Sequence, residues 1–211
     1  MAVSFEELRS IMVENQIKAR GVKDPRVLGA MLKVPRHEFV PEDFKTAAYE
    51  DHPLPLAENQ TISQPYIVAA MTELLELKGT EKLLEVGTGS GYQAAVLAEL
   101  CKEVYTIDIH PALAQSAEKL LKNLGYANIS VKSGDGYYGW AEHSPFDGII
   151  VACAPYNIPK ALFEQLKEGG KLVIPVGEVL QELVVVTKKD GKPESRGVMT
   201  VRFVPMLREE R

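Results

Sequence analysis

The sequence predicts a doubly wound α/β fold with a mainly parallel seven-stranded sheet. Three observations predict it. From residue 82 onward, short apolar runs alternate with helical stretches, the pattern of βαβ units. The first of these runs leads straight into Glu85-Val86-Gly87-Thr88-Gly89-Ser90-Gly91, a glycine-rich turn at a strand–helix junction. The last two apolar runs follow one another without a helix, so at least one pairing at the C-terminal edge should be antiparallel.

Taken in order, the first 79 residues form a helical and loop-rich extension. Ser4 with Glu7 three residues on is a capping box for a first helix, and Gly21 ends that stretch. Asp24-Pro25 opens a second helix to Lys33. Pro35, Pro41, Pro53 and Pro55 then dictate a wrap with short turns, long enough to cover one edge of a site. A third helix is expected from Gln64 to about Leu77. Residues 80–211 form the α/β unit. Its strands are expected at 82–86, 103–107, 129–132, 148–152, 172–176, 183–187 and 198–204. Helices should cover 92–100, 112–124 and 160–166, the last ended by Gly169-Gly170. The closing Arg208-Glu209-Glu210-Arg211 reads as a solvated tail.

The chain carries 24 Lys plus Arg against 29 Asp plus Glu, a formal charge of −5, which disfavours a phosphate-gripping, nucleic-acid-binding role. Cys101 and Cys153 form no CxxC, so neither a disulfide framework nor a zinc site is expected, and a reducing compartment is the default. Met1 to Glu7 lacks the pattern of a signal peptide, and no apolar run approaches the roughly 20 residues of a membrane span. A soluble, cytoplasmic, monomeric protein is expected, with no membrane partner.

In such a sheet, ligands bind beyond the carboxyl ends of the strands, where strand order reverses. The glycine triplet departs from the G-x-G-x-x-G dinucleotide fingerprint, since Tyr92 occupies the position of its third glycine, and no Lys-Ser or Lys-Thr follows to make a P-loop. Glu85 would repel a pyrophosphate and attract a cation. Asp108 closes the second strand about 20 residues after Gly87, where a carboxylate can accept hydrogen bonds from ribose hydroxyls; it can equally cap the helix ahead of Pro111. Asp135, in Gly134-Asp135-Gly136, follows the third strand and could reach an adenine amino group or simply hold a turn.

The combination E-x-G-x-G-x-G, Asp, then G-D-G resembles the class I S-adenosylmethionine-dependent methyltransferases, with their Rossmann-like sheet. Within that class, Leu54 to Tyr66, carrying Thr61-Ile62-Ser63-Gln64-Pro65, is similar to the protein-L-isoaspartate O-methyltransferases. So are Val34-Pro35-Arg36-His37-Glu38-Phe39-Val40-Pro41, Pro145-Phe146-Asp147 and Val201-Arg202-Phe203-Val204-Pro205-Met206. The resemblance implies methyl transfer from S-adenosyl-L-methionine, leaving S-adenosyl-L-homocysteine, to the free α-carboxylate of L-isoaspartyl residues in damaged proteins and peptides. It implies cofactor contacts from Thr61, Ile62, Glu85, Gly87, Gly89, Gly91, Asp108, Ile109, Asp135 and Gly136. Ser63 is implied as the catalytic residue, donating a hydrogen bond to the acceptor carboxylate, although its position also suits a helix cap. Tyr66 and Val204 are candidate walls of a peptide groove. Gln64 and Tyr66 stand where other branches of the family carry Ala and His.

An α-carboxyl with a pKa of roughly 3.3–3.7 is ionised at neutral pH, so the chemistry requires neither a strong base nor a metal. His37, His52, His110 and His143 are scattered without metal spacing. A nucleic-acid amine methyltransferase would carry an Asp/Asn-Pro-Pro-aromatic block after the fourth strand, where this chain has Cys153-Ala154-Pro155-Tyr156.

Overall fold

In the computed structural model, which describes residues 3–209, a seven-stranded sheet carries helices on both faces. Met1, Ala2, Glu210 and Arg211, the last two part of the expected solvated tail, lie outside the described residues. Arg208, inside them, sets its guanidinium 4.0 Å over the Tyr137 ring.

The N-terminal segment follows its local signals. Helix α1 (Phe5–Ile11) begins on the Ser4–Glu7 capping box, with both reciprocal bonds formed. It continues as wider turns over Met12–Ile17 and a tight turn over Lys18–Arg20, and stops at Gly21, whose φ of 101° suits a residue without Cβ. Helix α2 (Pro25–Lys33) is capped by Asp24, which accepts from the Arg26 N–H. The proline-rich wrap contains two short 3₁₀ turns, Arg36–Phe39 and Glu42–Ala47. Arg36 is fully buried; its Nε donates to the Ala48 carbonyl at 2.7 Å and its guanidinium lies 4.8 Å from the Tyr92 ring centroid. One side chain thus ties the wrap to the first helix of the α/β unit. A two-stranded ribbon, β1 (Leu54–Pro55) with β2 (Thr61–Ile62), then delivers the chain to α3 (Pro65–Leu74). That helix ends three residues before the expected Leu77, and Glu76 reverses the chain at a φ of 53°.

The α/β unit runs β3 (Lys82–Val86), α4 (Tyr92–Ala98), β4 (Glu103–Asp108), α5 (Pro111–Asn123), β5 (Ile129–Ser133), β6 (Phe146–Val151), α6 (Lys160–Glu164), β7 (Leu166–Val176), β8 (Gln181–Lys189) and β9 (Lys192–Val201). Strand order is β5-β4-β3-β6-β7-β8-β9; the first four pairings are parallel and the last two antiparallel. Order reverses between β3 and β6, which sets the expected ligand position. Side chains alternate across the strands, so Leu83, Ile150 and Val173 face the core beneath the N-terminal helices, while Leu84, Ile149 and Leu172 face the opposite core.

Two expectations need correction. Gly169-Gly170 does not end a helix: α6 stops at Glu164, and the glycines sit inside β7, where pairing to β6 jumps from Leu166 to Lys171. A Cβ on Gly170 would stand 2.8 Å from the Asp147 carbonyl oxygen, so the bulged backbone excludes a side chain there. The last strand spans 192–201 instead of 198–204. It forms a hairpin with β8 through Asp190 and Gly191, both at positive φ (51° and 71°), as a two-residue Asp-Gly turn requires. Residues 202–205 leave the sheet and cross to Ala154, whose N–H donates to the Val204 carbonyl at 2.8 Å. That crossing carries the C-terminal segment to the carboxyl ends of β3 and β6.

Candidate active site

A cavity opens where strand order reverses. Its floor is the turn after β3. The Gly87 N–H donates to the Ile107 carbonyl at 2.8 Å, and Gly87 and Gly89 hold φ of 95° and 53°. A Cβ on Gly87 would stand 3.5 Å from the Ala152 side chain, so the turn after β3 passes close to the chain leaving β6. The β1–β2 ribbon closes another side and contributes Thr61, Ile62 and Ser63. The end of β4 adds Asp108 and Ile109, and Gly136 and Val204 complete the expected residues in the wall.

Two expected residues stand outside that wall. Gly91 caps α4 at a φ of 87°, and a Cβ there would meet Leu121 at 3.2 Å; its lack of a side chain serves the packing of α4 against α5. Asp135 accepts from the Tyr137 N–H at 2.8 Å, capping a short turn. Its neighbour Gly136 does reach the cavity, and a Cβ there would overlap Val86 Cγ1.

Glu85 is the most unusual group in the wall. It is fully buried; Oε2 accepts from Thr106 Oγ1 at 2.6 Å, and Oε1 has no hydrogen-bond partner. Burial pushes its carboxyl up to about 8, against the lowering effect of the Thr106 hydrogen bond and with a further rise from the Asp108 charge. A buried carboxyl with an open oxygen can accept a hydrogen bond from a cationic donor, whose charge would favour its ionised form. Thr106 also pairs with Thr88 Oγ1 at 2.7 Å, forming a hydroxyl relay beneath the glycine turn. Sequence reasoning passed over both threonines. Thr106 lies opposite Glu85 in the β3–β4 register, which only the strand pairing discloses.

Asp108 is not the cap of α5, whose cap position is His110 without a side-chain cap bond; it holds the backbone on either side of the cavity instead. Oδ2 accepts from the Gly89 N–H at 2.7 Å and Oδ1 from the His110 N–H at 2.9 Å, so it braces the glycine turn and the start of α5. Each oxygen keeps a lone pair, and the residue remains in the cavity wall. His110, also in the wall, has a buried Nε2 without a partner. Burial first, and the Asp108 charge second, push the Cys153 thiol up to about 12, which keeps it a neutral lining group.

Beside the cavity runs an open groove with Arg20, Tyr66, Ile67 and residues 199–205 on its walls. Thr61, Ser63, Ala152, Val204 and Pro205 belong to both spaces, so the two meet there. Tyr66 lies in the groove wall under the Arg20 guanidinium, 3.6 Å from its ring centroid. Gln64 takes the cap position of α3 without a side-chain cap bond, so Ser63 is not the cap. Its hydroxyl, half-buried at the junction, forms no hydrogen bond among the described residues. The arrangement is an acid-lined cavity that meets, beside the Ser63 hydroxyl, an open groove.

The sequence profile of the Protein-L-isoaspartate(D-aspartate) O-methyltransferase family (PCMT) matches residues 7–211. The chain belongs to that family. Relatives named protein-L-isoaspartate O-methyltransferase include one from Opitutus terrae, 55% identical across 96% of this chain and 88% of its own length. Another, from Gloeobacter violaceus, is 51% identical across 94% and 98%. Among solved structures, a protein-L-isoaspartate O-methyltransferase superposes with a TM-score of 0.85 at 31% identity, covering 96% of this chain and 65% of that one. A Plasmodium falciparum protein described as a beta-aspartate methyltransferase, solved with S-adenosyl-L-homocysteine, has a TM-score of 0.81 at 27% identity, covering 95% and 98%.

Proposed function

We propose that this protein transfers a methyl group from S-adenosyl-L-methionine to the free α-carboxylate of L-isoaspartyl residues in damaged proteins and peptides. The observation that carries the reading is the Ser63 hydroxyl, without a partner among the described residues, at the junction of an acid-lined cavity and an open groove. When bound, S-adenosyl-L-methionine supplies a methyl group already activated on a sulfonium. The residues present fit such a ligand: Glu85 keeps an oxygen open for positive charge, and Asp108 retains lone pairs for ribose hydroxyls. Gly87, Gly89 and Gly136 let backbone approach it, and Thr61, Ile62 and Ile109 wall the cavity. Asp135 supports it from behind Gly136, and Gly91 from the head of α4.

On the acceptor side, the carboxylate arrives ionised, so the chain needs no base; Ser63 Oγ donates a hydrogen bond to one oxygen and leaves the other aimed at the cavity. Holding two reactants in this way can contribute on the order of 7–11 kcal/mol to the acceleration. The neutral Cys153 thiol adds no competing nucleophile. Tyr66 and Val204 flank the acceptor in the groove. One chain supplies both spaces, which suits action as a monomer, and two unpaired cysteines suit a reducing, cytoplasmic compartment. Among the described residues no helix is long and apolar enough to cross a membrane.

The test is transfer of labelled methyl groups to paired peptides that differ only in L-isoaspartyl versus L-aspartyl. Base-labile label on the isoaspartyl peptide alone, with release of S-adenosyl-L-homocysteine, is the expected result. Label on neither peptide would overturn the acceptor assignment.

A further inference from the structure

Among the described residues, the groove that meets the cavity at Ser63 has only two charged side chains on its walls, and both are arginines, in a chain with an excess of acids. They come from distant segments: Arg20 from the tight turn after α1, Arg202 from the segment that leaves β9. We propose that Arg20 and Arg202 make the groove selective for isoaspartyl residues flanked by acidic side chains. The inference rests on the acceptor reading above and specifies which acceptors the site prefers.

The two arginines differ in what already satisfies them. Arg20 is held in place: its face lies 3.6 Å from the Tyr66 ring centroid, and Nη1 pairs with Asp51 Oδ2 at 2.7 Å. Asp51 takes one edge of the guanidinium fork and offsets part of its charge; the remaining donors stay available beside the groove. Arg202 is exposed and forms no ion pair among the described residues. It sits between Val201 and Phe203, and Phe203 is fixed by reciprocal bonds with the Gln181 amide, 2.6 Å from its N–H and 3.1 Å from its carbonyl. The backbone carrying Arg202 is therefore anchored while its charge is uncompensated, and it should contribute the larger share of the selectivity. A cation on the wall attracts an acidic neighbour of the isoaspartyl residue and repels a basic one, in spite of the net charge of −5. Charged isoaspartyl sites in Glu- and Asp-rich surface loops are the acceptors this chemistry selects.

Three isoaspartyl peptides test it: one neutral, one with Glu on both sides of the isoaspartyl residue, one with Lys on both sides. At low salt, kcat/KM should be about three- to tenfold higher for the Glu peptide than for the neutral one, and lower for the Lys peptide. That range matches one or two exposed ion pairs of about 0.2–1 kcal/mol each. The Glu/Lys ratio should shrink at high salt. It should fall more in Arg202→Gln than in Arg20→Gln, and collapse in the double variant, with the change carried by KM. Equal kcat/KM for the three peptides, or a ratio that survives the double variant, would overturn the proposal. Label on none of the three would overturn the acceptor reading instead. Fluorescence anisotropy of the same peptides on protein saturated with S-adenosyl-L-homocysteine would then decide the charge preference by itself.

Discussion

The cavity and the groove adjoin each other but are built on different principles. The cavity forms where strand order reverses, between β3 and β6. Its key groups, Glu85, the glycine turn and Asp108, sit at the ends of β3 and β4; the Thr106 hydroxyl holds Glu85, and hydrogen bonds from backbone N–H groups, 2.7–2.9 Å long, hold the turn and Asp108. The groove has no such origin. The N-terminal extension lends it Arg20 and Tyr66, and the C-terminal crossing to Ala154 lends it Arg202 and Val204, from opposite ends of the chain. On the proposed reading, cofactor binding draws chiefly on the strand ends of the sheet, and acceptor recognition on what is packed around it. Substitutions should therefore separate the two functions.

The largest effect is expected at Gly136. Adding the side chain of Gly136→Val overlaps Val86, so the cavity should lose measurable S-adenosyl-L-homocysteine binding in calorimetry while stability falls by about 1–3 kcal/mol. Retained affinity would remove the Gly136 turn from the cofactor site. Next, Asp108→Ala should weaken cofactor affinity by roughly 1.5–3 kcal/mol, the scale of hydrogen bonds to charged groups. Asp108→Asn, which can still accept from Gly89, should lose less. Neither should alter peptide affinity measured with the cofactor absent; a matching loss there would break the separation.

A smaller effect concerns pH. In the folded, cofactor-free chain Glu85 holds its proton to about 8, whereas the unfolded chain releases it near 4.3. Its folded pKa is raised, so stability is highest below the unfolded value and is lost as pH climbs through that window. Glu85→Gln, which stays neutral, should match the wild type in Tm near pH 4.5 and exceed it by a margin that widens as pH rises to 9. Saturating cofactor should narrow the gap by placing positive charge at Glu85. A constant gap across pH would mean that the buried carboxyl does not titrate in the native state.

The same division governs what could be read from the amino acids. The strand–helix alternation, the capping box at Ser4, the Asp24-Pro25 start and the glycine turn are local signals, and each appears where expected. The β7 bulge was not legible, because Gly169-Gly170 suits a helix stop as well as a backbone crowded against Asp147. The last hairpin is hidden in the sequence because Lys189-Asp190-Gly191-Lys192 has the turn dipeptide but polar flanks, and apolar content marks only the far end of the strand. Thr106 could not be found, since its role depends on its register with Glu85. The motif points Gly91 and Asp135 at the cofactor, and the structure adds packing and capping contacts that the motif does not disclose. Arg20 in the groove follows from how the extension folds back over α3, which no short-range pattern encodes.

The most direct test of the separation is Ser63→Ala, with turnover on an isoaspartyl peptide and calorimetric affinity for S-adenosyl-L-homocysteine measured on one preparation. The hydroxyl forms no hydrogen bond among the described residues, so its removal should leave the Tm unchanged and cofactor affinity within about twofold of the wild type. Turnover should fall by roughly ten- to a hundredfold, as loss of a hydrogen bond to a charged acceptor implies. Equal losses of turnover and cofactor affinity would contradict the account and assign Ser63 to the cavity instead of the acceptor.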